Sequence, residues 1–207
     1  MLICPRWALP AGAVLVLALL VSVLMVRRAG SDGAGGPRRR AETDAPPPAG
    51  PLPALARPRV VVEKSAGRLI LYDGRTPIRT WRASVGTGRG DKRREGDRCT
   101  PEGRFYVCFK NPRSRFTRSL GLSYPNVEDA DRGLRDGLID RATHAAIADA
   151  IGRRARPPWK PPLGGEIMIH GGGGGRDWTI GCVAVDDPVI LQLYEALPVG
   201  TPVEILP

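Results

Sequence analysis

From residue 60 onward the hydrophobic positions fall first into a period of two. Val60-Val61-Val62-Glu63-Lys64 and Arg68-Leu69-Ile70-Leu71-Tyr72 are β-rich runs separated by Ser65-Ala66-Gly67, which predicts a hairpin. Asp73-Gly74 predicts the next turn, and the alternation over residues 80–85 predicts a third strand ending at Gly86-Thr87-Gly88. Residues 104–109, behind a Thr100-Pro101-Glu102-Gly103 turn, and residues 119–124 predict two more strands. The period then changes. Leu134, Leu138, Ile139, Ala142, Ala146, Ile147, Ala150 and Ile151 recur at helical spacing, interrupted at Gly133 and Gly137, so one or two short helices are expected over residues 127–151. Alternation returns in Ile167-Met168-Ile169, closing at His170, and again after Cys182. Asp186-Asp187-Pro188 predict a helix start with carboxylate caps and an early proline, and Val189, Ile190, Leu193, Tyr194 and Leu197 share one face of that helix. Residues 203–206 read as a last strand. About eight short strands with two or three helices imply a mainly β domain, a sandwich or partly closed barrel with a helical insertion and a late helix.

The residues before it follow a different pattern. Residues 7–26 carry no charge over twenty positions, with Arg6 in front and Arg27-Arg28 behind, and that length matches a bilayer's hydrocarbon core. Residues 1–28 are therefore expected to be a transmembrane anchor or signal segment. The apolar run is longer than a typical signal core, and arginines stand where a cleavage site would, which favours an uncleaved membrane anchor over secretion after cleavage. Residues 29–59, rich in Gly, Pro and charge, cannot bury enough apolar surface to fold and read as a disordered linker; Arg38-Arg39-Arg40 read as a solvated charge run or a lipid-headgroup contact. Residues 60–207 form the expected folded domain.

Charge narrows the partners. The chain is 207 residues long with a formal charge of +10, yet aromatic residues make up only 5%, and no stacking platform, zinc-finger spacing or helix-turn-helix pattern is present. Nucleic acid is excluded on that basis, and an envelope protein beside anionic polymer or lipid fits the excess. Cys99 and Cys108 lie close enough in sequence for a disulfide to remain an open alternative. His144, on the second predicted helix, reads as a surface or groove residue. Trp159, in the irregular 153–162 segment, reads as filling a gap rather than covering a groove.

The candidate chemistry sits in Glu166-Ile167-Met168-Ile169-His170, the glycines 171–175, and Trp178-Thr179-Ile180-Gly181-Cys182-Val183. Taken singly, Cys182 could be a small buried apolar residue and His170 a strand end. Together they form a nucleophile and base, because a thiol is mostly protonated at neutral pH unless an imidazole takes its proton. A glycine-rich loop of eleven residues between them would let the chain fold back. In that reading the amides of Gly181 and Cys182 hold the oxyanion. Asp177 is the one carboxylate between His170 and Cys182 in sequence. A metal held by His170 and Cys182 alone would lack ligands, so no metal is expected, and no cofactor.

His170-Gly171, a loop, then Thr179-Ile180-Gly181-Cys182-Val183 resembles the active-site signature of the L,D-transpeptidase catalytic domain family, the YkuD-type fold. Thr100-Pro101-Glu102-Gly103-Arg104-Phe105 resembles a second recurring segment of that family. Trp178-Thr179-Ile180-Gly181-Cys182-Val183-Ala184 is similar to its murein transpeptidase-like branch. Ile180 stands where the family often has histidine, and Ala184 where it usually has arginine, so that position offers nothing to a substrate carboxylate. The resemblance implies Cys182, His170 and Gly171 as catalytic residues, with the Gly171 carbonyl orienting the imidazole. It places Gly181, Thr179, Ile180 and Trp178 around the oxyanion and substrate. It implies acyl transfer on peptidoglycan stem peptides through a thioester, with hydrolysis of a diaminopimelate-linked bond and a non-catalytic wall-binding module as alternatives. The domain would then lie in the cell envelope, outside the membrane.

Overall fold

The computed structural model describes residues 50–207. The predicted anchor and most of the predicted linker lie outside the described residues. Among the described residues no helix is long and apolar enough to cross a membrane.

Among the described residues eight strands form one sheet. In chain order they are β1 (Pro58–Glu63), β2 (Arg68–Asp73), β3 (Thr76–Arg82), β4 (Gly103–Asn111), β5 (Ser119–Leu122), β6 (Met168–His170), β7 (Val183–Ala184) and β8 (Pro202–Leu206), arranged β3-β2-β1-β8-β4-β5-β6-β7. The predicted hairpin is present, β1 running antiparallel to β2 with Val60 opposite Leu71 and Val62 opposite Leu69. These four side chains point the same way by the two-residue period and are at most 1% exposed. Each contributes about 1.5–3 kcal/mol by leaving water. The last strand, β8, fills the centre, parallel to β1 and antiparallel to β4.

β4 makes the sheet curl. Its first part, from Gly103 to Tyr106, pairs with β8, and its second part, from Val107, pairs with β5 with a register shift between Val107 and Phe109. A bulge of this kind bends a strand and raises its twist. The curl brings the two outer edges together: Ser84, two residues past β3, exchanges both backbone hydrogen bonds with Ala184 of β7, each 2.8 Å. Of the two shapes expected, a sandwich or a partly closed barrel, the observed one is a single curled sheet whose edges meet through isolated bridges.

The third strand differs from expectation. It spans Thr76–Arg82 rather than residues 80–85, with Pro77 inside it. Proline lacks a ladder donor, but β3 is an outer strand, where a missing donor costs little. Residues 83–86 then leave the strand for the bridges to Ala184 and Thr179.

The helical insertion consists of α1 (Val127–Arg135) and α2 (Arg141–Gly152), capped by Asn126 and Asp140. The chain breaks between them near Gly137, whose φ is +71°, but not at Gly133, which is inside α1 against Leu163. Ala130, Ile139, Ile147 and Leu163 make a small core of their own. The late helix α3 (Asp187–Ala196) adds Val189, Ile190 and Leu193 to the main core. Within the described part of the predicted linker, Leu52 and Leu55 pack against that core, and the amides of Ala56 and Arg57 donate to the Asp73 carboxylate. Cys99 and Cys108 are free thiols.

Candidate active site

β6 ends at His170, and its neighbours fix the ring. β5 presents Ser119 opposite it in register, and Phe116, from the loop between β4 and β5, stacks on the imidazole with ring centres 4.4 Å apart and planes 20° apart. Trp178 meets the same ring edge-on at 5.7 Å. His170 is only 4% exposed. Its Nδ1 lies 2.6 Å from the Gly171 carbonyl oxygen. A carbonyl can only accept, so Nδ1 carries the proton and Nε2 keeps its lone pair.

The glycine run is not a free hinge. The Gly172 amide donates to Asp187 Oδ1 at 2.8 Å, the Gly173 amide to the Val185 carbonyl at 3.0 Å, and the Gly174 amide to Asp186 Oδ1 at 3.0 Å. Trp178 Nε1 donates to the Gly173 carbonyl. Asp186 is the N-cap residue of α3, but its side chain makes no capping bond to the helix. The two carboxylates expected as helix caps hold the loop instead. Gly171 is a glycine for close approach: a Cβ there would lie 2.8 Å from the Phe116 carbonyl oxygen and closer still to Asp187 Oδ1.

Cys182 is half-buried, just after Gly181, whose φ of +133° excludes side chains and whose Cβ would meet the Cys99 carbonyl. The Cys182 carbonyl accepts from two hydroxyls, Thr179 Oγ1 at 2.7 Å and Thr100 Oγ1 at 3.3 Å. Thr179 Oγ1 also accepts the Gly181 amide at 3.2 Å. Of the two amides expected to hold the oxyanion, that of Gly181 thus already donates to a side-chain hydroxyl. The thiol itself approaches the Glu166 carbonyl at 3.6 Å. Asp177 does not face the imidazole; it accepts the Val85 amide.

His170 and Cys182 line one cleft of about 1320 Å³, together with Phe116, Trp159, Trp178 and Ile180. That exceeds the ~300–1,000 Å³ of ordinary small-molecule sites and suits an extended peptide. Trp159, expected to fill a gap, does both: it lines the cleft and packs on Gly121. Ile180 is 71% exposed and Trp178 39%, so they form an apolar lip, whereas Thr179 is a buried clamp. His144 is paired with Asp131 and does not line the cleft. Three of the four non-glycine residues with left-handed backbones, Arg98, Thr117 and Glu166, flank this cleft among the described residues. Such conformations cost about 1–3 kcal/mol each and gather at working sites.

Burial sets the protonation states. It lowers the His170 pKa from 6.5, opposed by the Gly171 carbonyl and aided by the positive charge of Arg115. It raises the Cys182 pKa above its ordinary 9.0. Burial also raises Cys99, and it pushes Cys108 up to about 11. Acidity alone therefore does not single out Cys182; the imidazole in the same cleft does. Both directions favour a neutral thiol and a neutral imidazole in the one cleft. Phe116, Arg115 and Thr100 were missed by the sequence reading. Periodicity carries no signal for the first two, which lie in an irregular loop, while Thr100 opens the Thr-Pro-x-Gly segment already matched to a family motif.

The described residues thus define a mainly β domain whose curled sheet sets an imidazole and a thiol in one peptide-sized cleft. The chain belongs to the L,D-transpeptidase catalytic domain family, whose sequence profile matches residues 57–205. No curated protein sequence matches it. Among solved structures, an L,D-transpeptidase from Xylanimonas cellulosilytica is 18% identical with a TM-score of 0.45, the match covering 75% of this chain and 63% of that one. The helical cell shape determining protein Pgp2 from Campylobacter jejuni is 21% identical with a TM-score of 0.49, over 72% of this chain and 47% of that one. L,D-transpeptidase 1 from Mycobacterium tuberculosis is 16% identical with a TM-score of 0.39, over 72% and 61%. The chain spans roughly half to two thirds of the length of these structures.

Proposed function

We propose that this protein is a cysteine-dependent acyltransferase acting on peptidoglycan stem peptides outside the cytoplasmic membrane. His170 Nε2 takes the Cys182 proton as the sulfur attacks a peptide carbonyl beside diaminopimelate. The Cys182 amide steadies the oxyanion. His170 returns the proton to the departing amine, and a thioester remains on Cys182. A second amine then takes the acyl group to make a cross-link or attachment, or water takes it and the net reaction is hydrolysis. Trp178 and Ile180 form the apolar side of the donor site. The observation that carries this reading is the tautomer of His170: with Nδ1–H committed to Gly171, its basic nitrogen is free in the cleft that holds the Cys182 thiol.

The test is incubation of the protein with muropeptides, the products being read by mass. A new dimer is expected for transfer and a shorter monomer for hydrolysis; unchanged peptides contradict both and favour a wall-binding module. Cys182→Ala should abolish either product while the thermal midpoint is kept, since Cys182 is half-buried and outside the main core.

A further inference from the structure

Beside its apolar lip the cleft carries positive charge. Arg98, Arg113, Arg115 and Lys160 line it, opposed by Glu95 and Glu166. A fifth cation, Lys92, is buried and spent on Asp97, 2.8 Å away. Position 184, where the family usually carries arginine, is an alanine fully buried in β7 and adds no charge. With four cations against two carboxylates, the cleft favours ligands that bring their own negative charge.

Arg115 differs from the other cations in how it is held. Like Arg98, Arg113 and Lys160, it is exposed and among the described residues takes part in no ion pair, but it alone of the four rests on an aromatic ring. Its guanidinium carbon lies 4.8 Å from the centre of the Phe116 ring, the same ring that stacks on His170. A planar guanidinium resting on an aromatic ring loses little freedom on binding and keeps its edge donors for a carboxylate. Its charge is felt at both reactive groups, where it disfavours the imidazolium and favours the thiolate as a minor contribution beside burial.

We propose that Arg115 is the carboxylate anchor of this cleft: seated on Phe116 beside His170, it binds a free carboxylate near the attacked carbonyl, so the site selects anionic acyl donors. This deepens the acyl-transfer reading and rests on it for the word donor, but the anchor can be tested without any wall substrate. Two alkylating agents of nearly equal size differ in charge, anionic iodoacetate and neutral iodoacetamide. Their rates of reaction at Cys182, read by peptide-resolved mass spectrometry, give a ratio that cancels changes in thiol reactivity. Arg115→Ala should lower the iodoacetate-to-iodoacetamide ratio on the order of fivefold at low salt, as expected for one unit charge several ångströms away. Arg115→Lys should keep part of it. Arg104→Ala removes the same charge from an exposed site outside the cleft and should leave the ratio alone. The wild-type preference should fade near 1 M salt, where the screening length is about 3 Å. A ratio unmoved by Arg115→Ala, or moved equally by Arg104→Ala, overturns the anchor.

A second arm uses stem-peptide donors with the carboxylate free or amidated. Arg115→Ala should raise KM about tenfold for the free acid with little change in kcat, and should leave the amide unaffected. Equal losses on both donors would overturn the anchor, because they would place Arg115 in positioning His170 through Phe116. Should the wild-type protein show the expected alkylation ratio yet process neither peptide, the acyl-transfer reading falls and the anchor stands.

Discussion

The two ends of the sheet are built on different principles. Along β3-β2-β1-β8 the strands run five to seven residues, and backbone ladders and buried Val and Leu side chains do the holding. Along β5-β6-β7 they shrink to four, three and two residues. There the polar side chains of Asp177, Asp186, Asp187, Thr100 and Thr179 take over, Asp177 bonded to the Val85 amide past β3 and the others to backbone amides or carbonyls around His170 and Cys182. A ladder spreads its energy over many bonds and tolerates local loss. A side-chain clamp contributes little to global stability but sets the position of one loop. Damage at the first end should appear as unfolding, and damage at the second as lost activity in a folded protein.

The largest stability effect is expected at the ladder end. Leu71→Ala removes a fully buried side chain between β1 and β3 and should cost about 3 kcal/mol in urea unfolding. Gly171→Ala comes next, at about 2 kcal/mol, because the methyl group must displace the Phe116 backbone and the Asp187 carboxylate. Its activity should fall further than its stability, roughly a hundredfold, since a displacement near 1 Å at reacting groups is worth that much. Asp187→Ala should cost about 1 kcal/mol, the worth of one exposed charge-assisted bond, and about tenfold in kcat/KM. Were Asp187→Ala to unfold the protein as Leu71→Ala does, the contrast between the two ends would be gone.

The smallest effect is a shift in pH dependence. Burial disfavours the His170 imidazolium, so the acid limb of kcat/KM should lie below the ordinary imidazole value of 6.5. The same group adds a stability term. Its folded pKa is depressed, so the unfolded chain binds the proton more readily; the contribution is complete above 6.5 and is lost as pH falls. An acid limb above 7 would mean that the imidazole is not shielded as described.

The ladder end was legible because its residues announce themselves locally. Val60-Val61-Val62, the Ser65-Ala66-Gly67 turn and Leu69-Ile70-Leu71 need no distant partner to be read as a hairpin. Only the bounds of the third strand differed: Pro77 lies inside it, which is tolerable on an outer strand, and nothing local says which strand is outer. At the other end, local features were equally readable: a strand closing on His170 and a bend at Gly181 are both present. What surrounds them was not. Phe116 reaches His170 from 54 positions earlier, and Thr100 reaches Cys182 across a separation of 82 residues. Asp186 and Asp187 carried the local signature of helix caps, but the neighbouring glycine amides offered donors that competed successfully for the same oxygens. Five glycines signal freedom in a sequence; here they signal a backbone that other groups approach closely enough to hold.

The central claim is that His170, fixed through Gly171, draws the proton from Cys182 so that the sulfur takes up an acyl group. Rapid-quench mass spectrometry of the protein mixed with a stem-peptide donor, followed by peptide mapping, tests it most directly. The expected result is one acyl adduct on Cys182, formed at least a hundredfold more slowly in His170→Ala, as loss of a general base implies. An adduct on any other residue, or one on Cys182 that forms at the wild-type rate without His170, would contradict it.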